Sequence, residues 1–359
     1  MQFRKAASLT GRTVICLFLL FFIGISYAQD IATKADAYLQ QQVMTNSFRG
    51  SVLIAIDGKI LFEHGYGLAD EEWNVPNTPN TKFRIASLTK QFTAASVLLL
   101  QEQRRLNVHD AISKYLSGLP ASWQAITIHQ LLTHTSGIPN YTEFPEIKEL
   151  NRTGATPQEL IAVVAKKPLL FPPGTKWSYT NTGYVLLGML IEKVSGMSYA
   201  EFLQQKIFAP LGMKNSGYDN AATVIAHRAA GYQQKDGTIV NAGFIDMTVP
   251  FAAGGIYSTV EDMFRWNEDL SHGLLSTASQ KMMFDVYPET TVSNSHYGYG
   301  VVITERFGEE LYYHGGGVFG FASVIQRYPA KNMCIVVLSN LETVKAWEIG
   351  DSLAQMLLK

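Results

Sequence analysis

Two pairs of strand-like runs, one near each end of the chain, constrain the fold more than any other feature. Ser51 to Ile56 and Lys59 to His64 are β-rich and are separated by Asp57-Gly58. That dipeptide favours a two-residue hairpin turn with both central residues at positive φ. Val318 to Tyr328 and Asn332 to Ser339 form the second pair, and Lys345 to Leu358 reads as a closing amphipathic helix. The middle is mostly helical. Thr156-Pro157-Gln158-Glu159 is a capping box with proline at the first helical position, and Ser198…Glu201 and Ser258…Glu261 repeat the box. Gly196 suits a C-terminal cap for a helix ending near Val194. The expectation is an α/β (α+β) fold: one antiparallel sheet built from both chain ends, flanked by helices and carrying a mostly helical inserted subdomain. The sheet would draw on residues 29–85 and 290–359 and the insertion on residues 86–289. No internal repeat or Pro/Gly-rich linker splits off a further domain.

Composition narrows the function classes. An apolar fraction of 47% excludes a disordered chain, and 29 Lys+Arg against 30 Asp+Glu gives no concentrated positive charge for nucleic acid. Residues 1–28 read as an export signal. Arg4, Lys5 and Arg12 precede or flank the apolar stretch Thr13 to Ile25, and Ser26-Tyr27-Ala28 offers small residues for cleavage. An apolar stretch of this length is short of the ~20 residues a membrane span needs. Cleavage near Ala28 would leave a periplasmic or secreted protein of residues 29–359, with 26 positive and 30 negative side chains and Cys334 alone. A lone cysteine forms no intramolecular disulfide, and the apolar run Met333 to Leu338 reads as burying it.

Three elements carry candidate chemistry. Ser87-Leu88-Thr89-Lys90 is the sole S-x-x-K and opens an apolar helix expected to run through Leu106. Residues three apart share a helix face, so hydroxyl and amine can meet. Serine needs a base to become a nucleophile, and a lysine serves if burial depresses its pKa. The alternative is a capping serine beside a solvated lysine. Tyr179-Thr180-Asn181 follows 92 residues after Ser87, behind the turn Pro172-Pro173-Gly174-Thr175 and before the apolar helix Tyr184 to Val194. A phenol can relay the serine's proton, and a carboxamide can hold a substrate and steady the lysine. Tyr218-Asp219-Asn220 repeats the pattern inside a polar loop and reads as surface. The third element, His314-Gly315-Gly316-Gly317, leads into the expected strand Val318 to Tyr328. Its glycines admit a substrate backbone and leave an N–H to face an oxyanion, while His314 could orient substrate or protonate a leaving group. His296-Tyr297-Gly298 lacks the glycine run and reads as a decoy.

Together these elements resemble the serine penicillin-recognising family of class C β-lactamases, DD-peptidases and related esterases. S-x-x-K matches fully, Y-x-N takes the class C form, and HGG stands in the K-T-G place. Leu131 to Gly137 (LLTHTSG), the Pro173-to-Asn181 block and Ala253 to Thr259 (AGGIYST) also look like the family. The resemblance implies a sheet packed on a helical subdomain with the site between them. It further implies acylation of Ser87, shared acid and base work by Lys90 and Tyr179, and Asn181 holding the substrate amide. His314, Gly315 and Gly316 would lie along the substrate, and the N–H groups of Ser87 and Gly317 would form the oxyanion hole. No metal or organic cofactor is needed, the partner is a small-molecule or peptide substrate, and membrane contact is confined to the export signal.

Two departures matter. His314 replaces the lysine and is fully charged only below about 6.5, and Gly315 removes the threonine hydroxyl that would hold a substrate carboxylate. A lost charge-assisted bond costs about 1.5–3 kcal/mol, or roughly ten- to a hundredfold in affinity. The expected activity is therefore an exported serine hydrolase acting through an acyl-enzyme on esters or amides, peptidoglycan-derived ones included. The alternatives are a class C-like β-lactamase or D-Ala-D-Ala carboxypeptidase, and a penicillin-binding sensor that acylates without turnover. An α/β-hydrolase is excluded, because its HGGG precedes a G-x-S-x-G that this chain lacks, and 42 residues follow Gly317. His129 and His134, five apart, suit a structural role better than a metal site.

Overall fold

The computed structural model describes residues 29–287 and 294–358; the expected export signal lies outside them. Among the described residues no helix is long and apolar enough to cross a membrane. After a helix over residues 29–46 (α1), the chain forms β1 (Gly50–Ile56) and β2 (Lys59–Tyr66), joined by Asp57 and Gly58 at φ 53° and 69°. Five strands close the chain: β3 (His296–Tyr297), β4 (Val302–Arg306), β5 (Glu309–Val318), β6 (Phe321–Tyr328) and β7 (Met333–Ser339). They make one antiparallel sheet in the order β3-β4-β5-β6-β7-β1-β2. The two chain ends meet at β1 and β7, in register from Gly50↔Ser339 to Ile56↔Met333.

Alternation along these strands feeds two cores. Val52, Ile54, Val324, Ile335 and Val337 face α1 and the C-terminal helix Ala346–Leu358, against Leu39, Ile349 and Leu353. Leu53, Ile325, Val336 and Leu338 face the helical layer and join its larger core. At the centre of that layer lies α2 (Thr89–Glu102), buried at every position from Thr89 to Leu98. Buried on every face over this stretch, the helix fills the junction between sheet and insertion, and its buried polar side chains, Lys90 included, are held inside with it. A small sheet of Phe83–Arg84, Ile256–Ser258 and Gly217–Tyr218 ties the segment before Ser87 to the one after Ala253.

The capping boxes at Thr156/Glu159 and Ser198/Glu201 form as expected, and Gly196 caps its helix at φ 74°. Four readings need correction. The α2 helix stops at Glu102 rather than Leu106, because Arg104 turns left-handed (φ 57°). Thr259, not Ser258, caps the following helix by accepting from Asp262 N–H, since Ser258 ends a strand. Val318 to Tyr328 is not one strand: the chain reverses at Phe319-Gly320, with Gly320 at φ 83°, so the glycines sit inside β5. Tyr218 is packed and partly buried rather than exposed. Its ring packs on Tyr199 and Phe251, and its hydroxyl donates to Met247 O.

Candidate active site

The segment that presents Ser87 is a short 3-10 turn, Ala86–Leu88, running into α2. Ala86 adopts φ 47°, a left-handed conformation costing a non-glycine residue about 1–2 kcal/mol. Ser87 caps nothing with its side chain, because the α2 cap residue is Leu88 and makes no side-chain cap bond. One turn on, Lys90 is fully buried and its Nζ donates to Ser87 Oγ at 3.1 Å, Asn181 Oδ1 at 2.8 Å and Ala253 O at 2.8 Å. All three partners are neutral. Burial drives the amine well below its ordinary 10.5, which excludes the solvated-lysine alternative.

Tyr179 and Asn181 arrive together at the start of the helix Asn181–Ser195, capped by Thr180. The Tyr179 hydroxyl donates to Ser87 Oγ at 2.8 Å, and burial raises the phenol's pKa, so it stays protonated. Asn140, which no sequence signal marked, holds Asn181 by accepting from its backbone N–H at 3.1 Å and its Nδ2 at 3.3 Å. Asn181 is thereby oriented with its oxygen on Lys90.

Strand β5 forms the opposite wall. It pairs with β4 only to Tyr313↔Val302, but with β6 as far as Val318↔Phe321. In a ladder closed by a two-residue turn, Val318, Gly316 and His314 bond to β6, so the backbone groups of Gly317 and Gly315 point to the open edge. Gly317 and Ser87 line one cavity of about 380 Å3 with Asn181, and its remaining walls include Tyr141, Ile245, Val249, Val318 and Phe319.

The other residues of this strand depart from expectation. A Cβ on Gly316 would lie 2.3 Å from Ile85 O and 3.1 Å from Ser87 N. This glycine lets strand and nucleophile turn touch rather than contacting substrate. Gly315 lines a separate hollow with Arg306, Tyr313 and Trp347. His314 is buried, its Nδ1 donates to Gly315 O at 2.6 Å, and Tyr297 OH donates to its Nε2 at 3.0 Å. Burial, assisted by Lys90, pushes its pKa down to about 3, so the charge expected below about 6.5 is withheld until far lower pH. Tyr297, read as a decoy, is thus the residue that occupies His314.

The profile of the Beta-lactamase family matches residues 35–354. The chain belongs to that family. Penicillin-binding protein 4* of Bacillus subtilis (strain 168) is 33% identical over 319 residues, covering 84% of this chain and 70% of the relative. The solved structure of a penicillin binding protein from Bacillus halodurans superposes with a TM-score of 0.79 at 29% identity, over 89% of this chain and 98% of that one. That of D-amino acid amidase from Ochrobactrum anthropi SV3, complexed with L-phenylalanine amide, gives 0.82 at 26% identity, over 91% and 98%. The family's mixed fold of helices and antiparallel sheet is the fold seen here, and its members of this kind are penicillin-binding-protein-like serine hydrolases.

Proposed function

We propose that the protein is an exported serine hydrolase that cleaves neutral esters or amides through an acyl-enzyme on Ser87. The observation that carries this reading is a fully buried lysine, held by neutral partners, 3.1 Å from a serine that also touches a tyrosine. In its neutral form Lys90 keeps two donated bonds, to Asn181 Oδ1 and Ala253 O, and its lone pair takes the Ser87 proton, directly or with Tyr179 sharing the transfer, as Oγ bonds to the substrate carbonyl carbon. The oxyanion faces the N–H groups of Ser87 and Gly317. Collapse expels the alcohol or amine with a proton returned by Tyr179, and water then releases the acid by the reverse relay.

Substrate preference follows from the walls. The cavity beside Ser87 is mainly apolar; its lining includes the exposed Lys148, but neither His314 nor Gly315 offers the charge or hydroxyl that would hold a carboxylate at the strand wall. Similarity to a D-amino acid amidase supports amides as well as esters. Export rests on the pattern of residues 1–28, and the mature N-terminus found by mass spectrometry tests it. Turnover and intact mass should be followed with a p-nitrophenyl ester, a chromogenic cephalosporin and a D-Ala-D-Ala peptide. Ester turnover that exceeds lactam and peptide turnover, and is lost in Ser87→Ala, supports the reading. Faster lactam or peptide turnover replaces it with a β-lactamase or carboxypeptidase, and a stable adduct replaces it with a sensor.

A further inference from the structure

His134 touches no part of the substrate cavity, yet it grips Tyr179 from three sides. Its carbonyl oxygen accepts from Ser178 N–H at 3.0 Å, and its Nδ1 accepts from Thr180 N–H at 3.2 Å. These are the residues immediately before and after Tyr179. The imidazole centre lies 4.4 Å from the Tyr179 ring, and 4.6 Å and 5.2 Å from those of Tyr297 and Tyr184. The residue is fully buried and held at φ 60°, a left-handed conformation that a β-carbon disfavours. That conformation is what allows carbonyl and ring to face the same segment. Its neighbours extend the grip, since Thr135 O accepts from Gly174 N–H and Gly137 O from Leu170 N–H, each at 2.8 Å.

We infer that His134 is the positioning residue for Tyr179, fixing the backbone N–H groups on either side of it and packing on its ring so that the phenol stays on Ser87. Three properties suit it to this task. An acceptor at Nδ1 satisfies a buried backbone N–H that would otherwise be orphaned. A flat ring fills the space against Tyr179, so the phenol has one seat. A neutral imidazole brings no second charge beside Lys90. With Nδ1 accepting, the ring's proton sits on Nε2, which is buried without a hydrogen-bond partner. His134 is thus placed to hold the phenol and not to exchange protons with substrate.

The inference rests on the serine hydrolase reading, and the test separates the two. The full chain is assayed with a p-nitrophenyl ester as wild type, His134→Leu, His134→Asn, Tyr179→Phe and the double variant His134→Asn/Tyr179→Phe. Asparagine tolerates the left-handed region and keeps an acceptor for Thr180 N–H, but lacks the ring. Loss of phenol alignment should lower kcat about 10- to 100-fold in His134→Leu with KM little changed, because misplacement by about 1 Å costs on that order. His134→Asn should recover part of that loss. In the Tyr179→Phe background His134→Asn should cost almost nothing, since the group it positions is gone. Additive losses in the double variant, or wild-type kcat in His134→Asn, would overturn the inference, and neither depends on His134→Leu folding. A wild type without Ser87-dependent ester turnover would instead overturn the hydrolase reading.

Discussion

Replacing Gly316 by alanine probes how closely strand and nucleophile turn must approach. An added Cβ would stand 2.3 Å from Ile85 O and 2.4 Å from Ser323 Oγ, about 0.7 Å inside the 3.0 Å that real contacts of this kind keep. Neither neighbour can retreat alone, because Ser323 Oγ donates to Ile85 O at 2.9 Å and Ile85 N–H donates to Ile256 O at 3.0 Å. Strand β5 must therefore separate from the turn carrying Ser87, moving the Gly317 N–H away from the Ser87 N–H. Overpacking of this kind costs about 1–3 kcal/mol, and a displacement near 1 Å costs about a hundredfold in rate. We expect kcat on a p-nitrophenyl ester to fall about 10- to 100-fold and Tm to drop by a few degrees. Gly315→Ala is the control for stability, since its Cβ would meet nothing nearer than Ser323 O at 3.7 Å. Wild-type kcat and Tm in Gly316→Ala would refute the close-approach argument.

Three further outcomes follow from the buried groups. Lys90→Met should lower kcat/KM about 10²- to 10⁴-fold. The folded amine binds its proton less tightly than the unfolded one, so wild-type stability should gain on this variant as pH rises towards 10.5; denaturation midpoints at pH 7 and 10 that keep a constant difference would contradict it. His314 and His129, with pKa values pushed down to about 3 and about 4 by burial, stay neutral in the fold, and His134 behaves likewise. Each takes up a proton on unfolding below about 6.5, so stability should be lost as pH falls from 6.5 towards 3, by roughly 2 kcal/mol or more at pH 4.5 in urea titrations. Asn140→Ala removes the acceptor that orients Asn181, and kcat/KM on an amide substrate should fall about tenfold, the worth of one such bond.

Local patterns in the chain carried a large share of this fold. Asp57-Gly58 specifies its hairpin because the turn needs positive φ at both residues, and the boxes at Thr156 and Ser198 cap helices through bonds spanning three positions. Signals failed where a reversal or a partner lay outside the local window. The apolar run through Val318 to Tyr328 hides the turn at Gly320, which displaced the glycine motif from a strand's start to its interior. Tyr218 looked exposed because its loop is polar, yet its ring meets Tyr199 and Phe251 from other parts of the chain.

The site divides the same way. Spacing alone put Ser87 and Lys90 on one face, since a helical turn fixes that geometry whatever surrounds it. Bringing Tyr179, Asn181 and Gly317 to the same serine required the whole insertion and the sheet edge. Charge was decided later still. Nothing local in HGGG indicates that His314 is uncharged, because its state is set by burial and by Tyr297, 17 residues away in sequence. Asn140 and His134 act through atoms supplied by the segment around Tyr179, about 40 residues on. Hydrogen bonds along a turn are written in the residue order, whereas desolvation depends on what the folded chain places around a group.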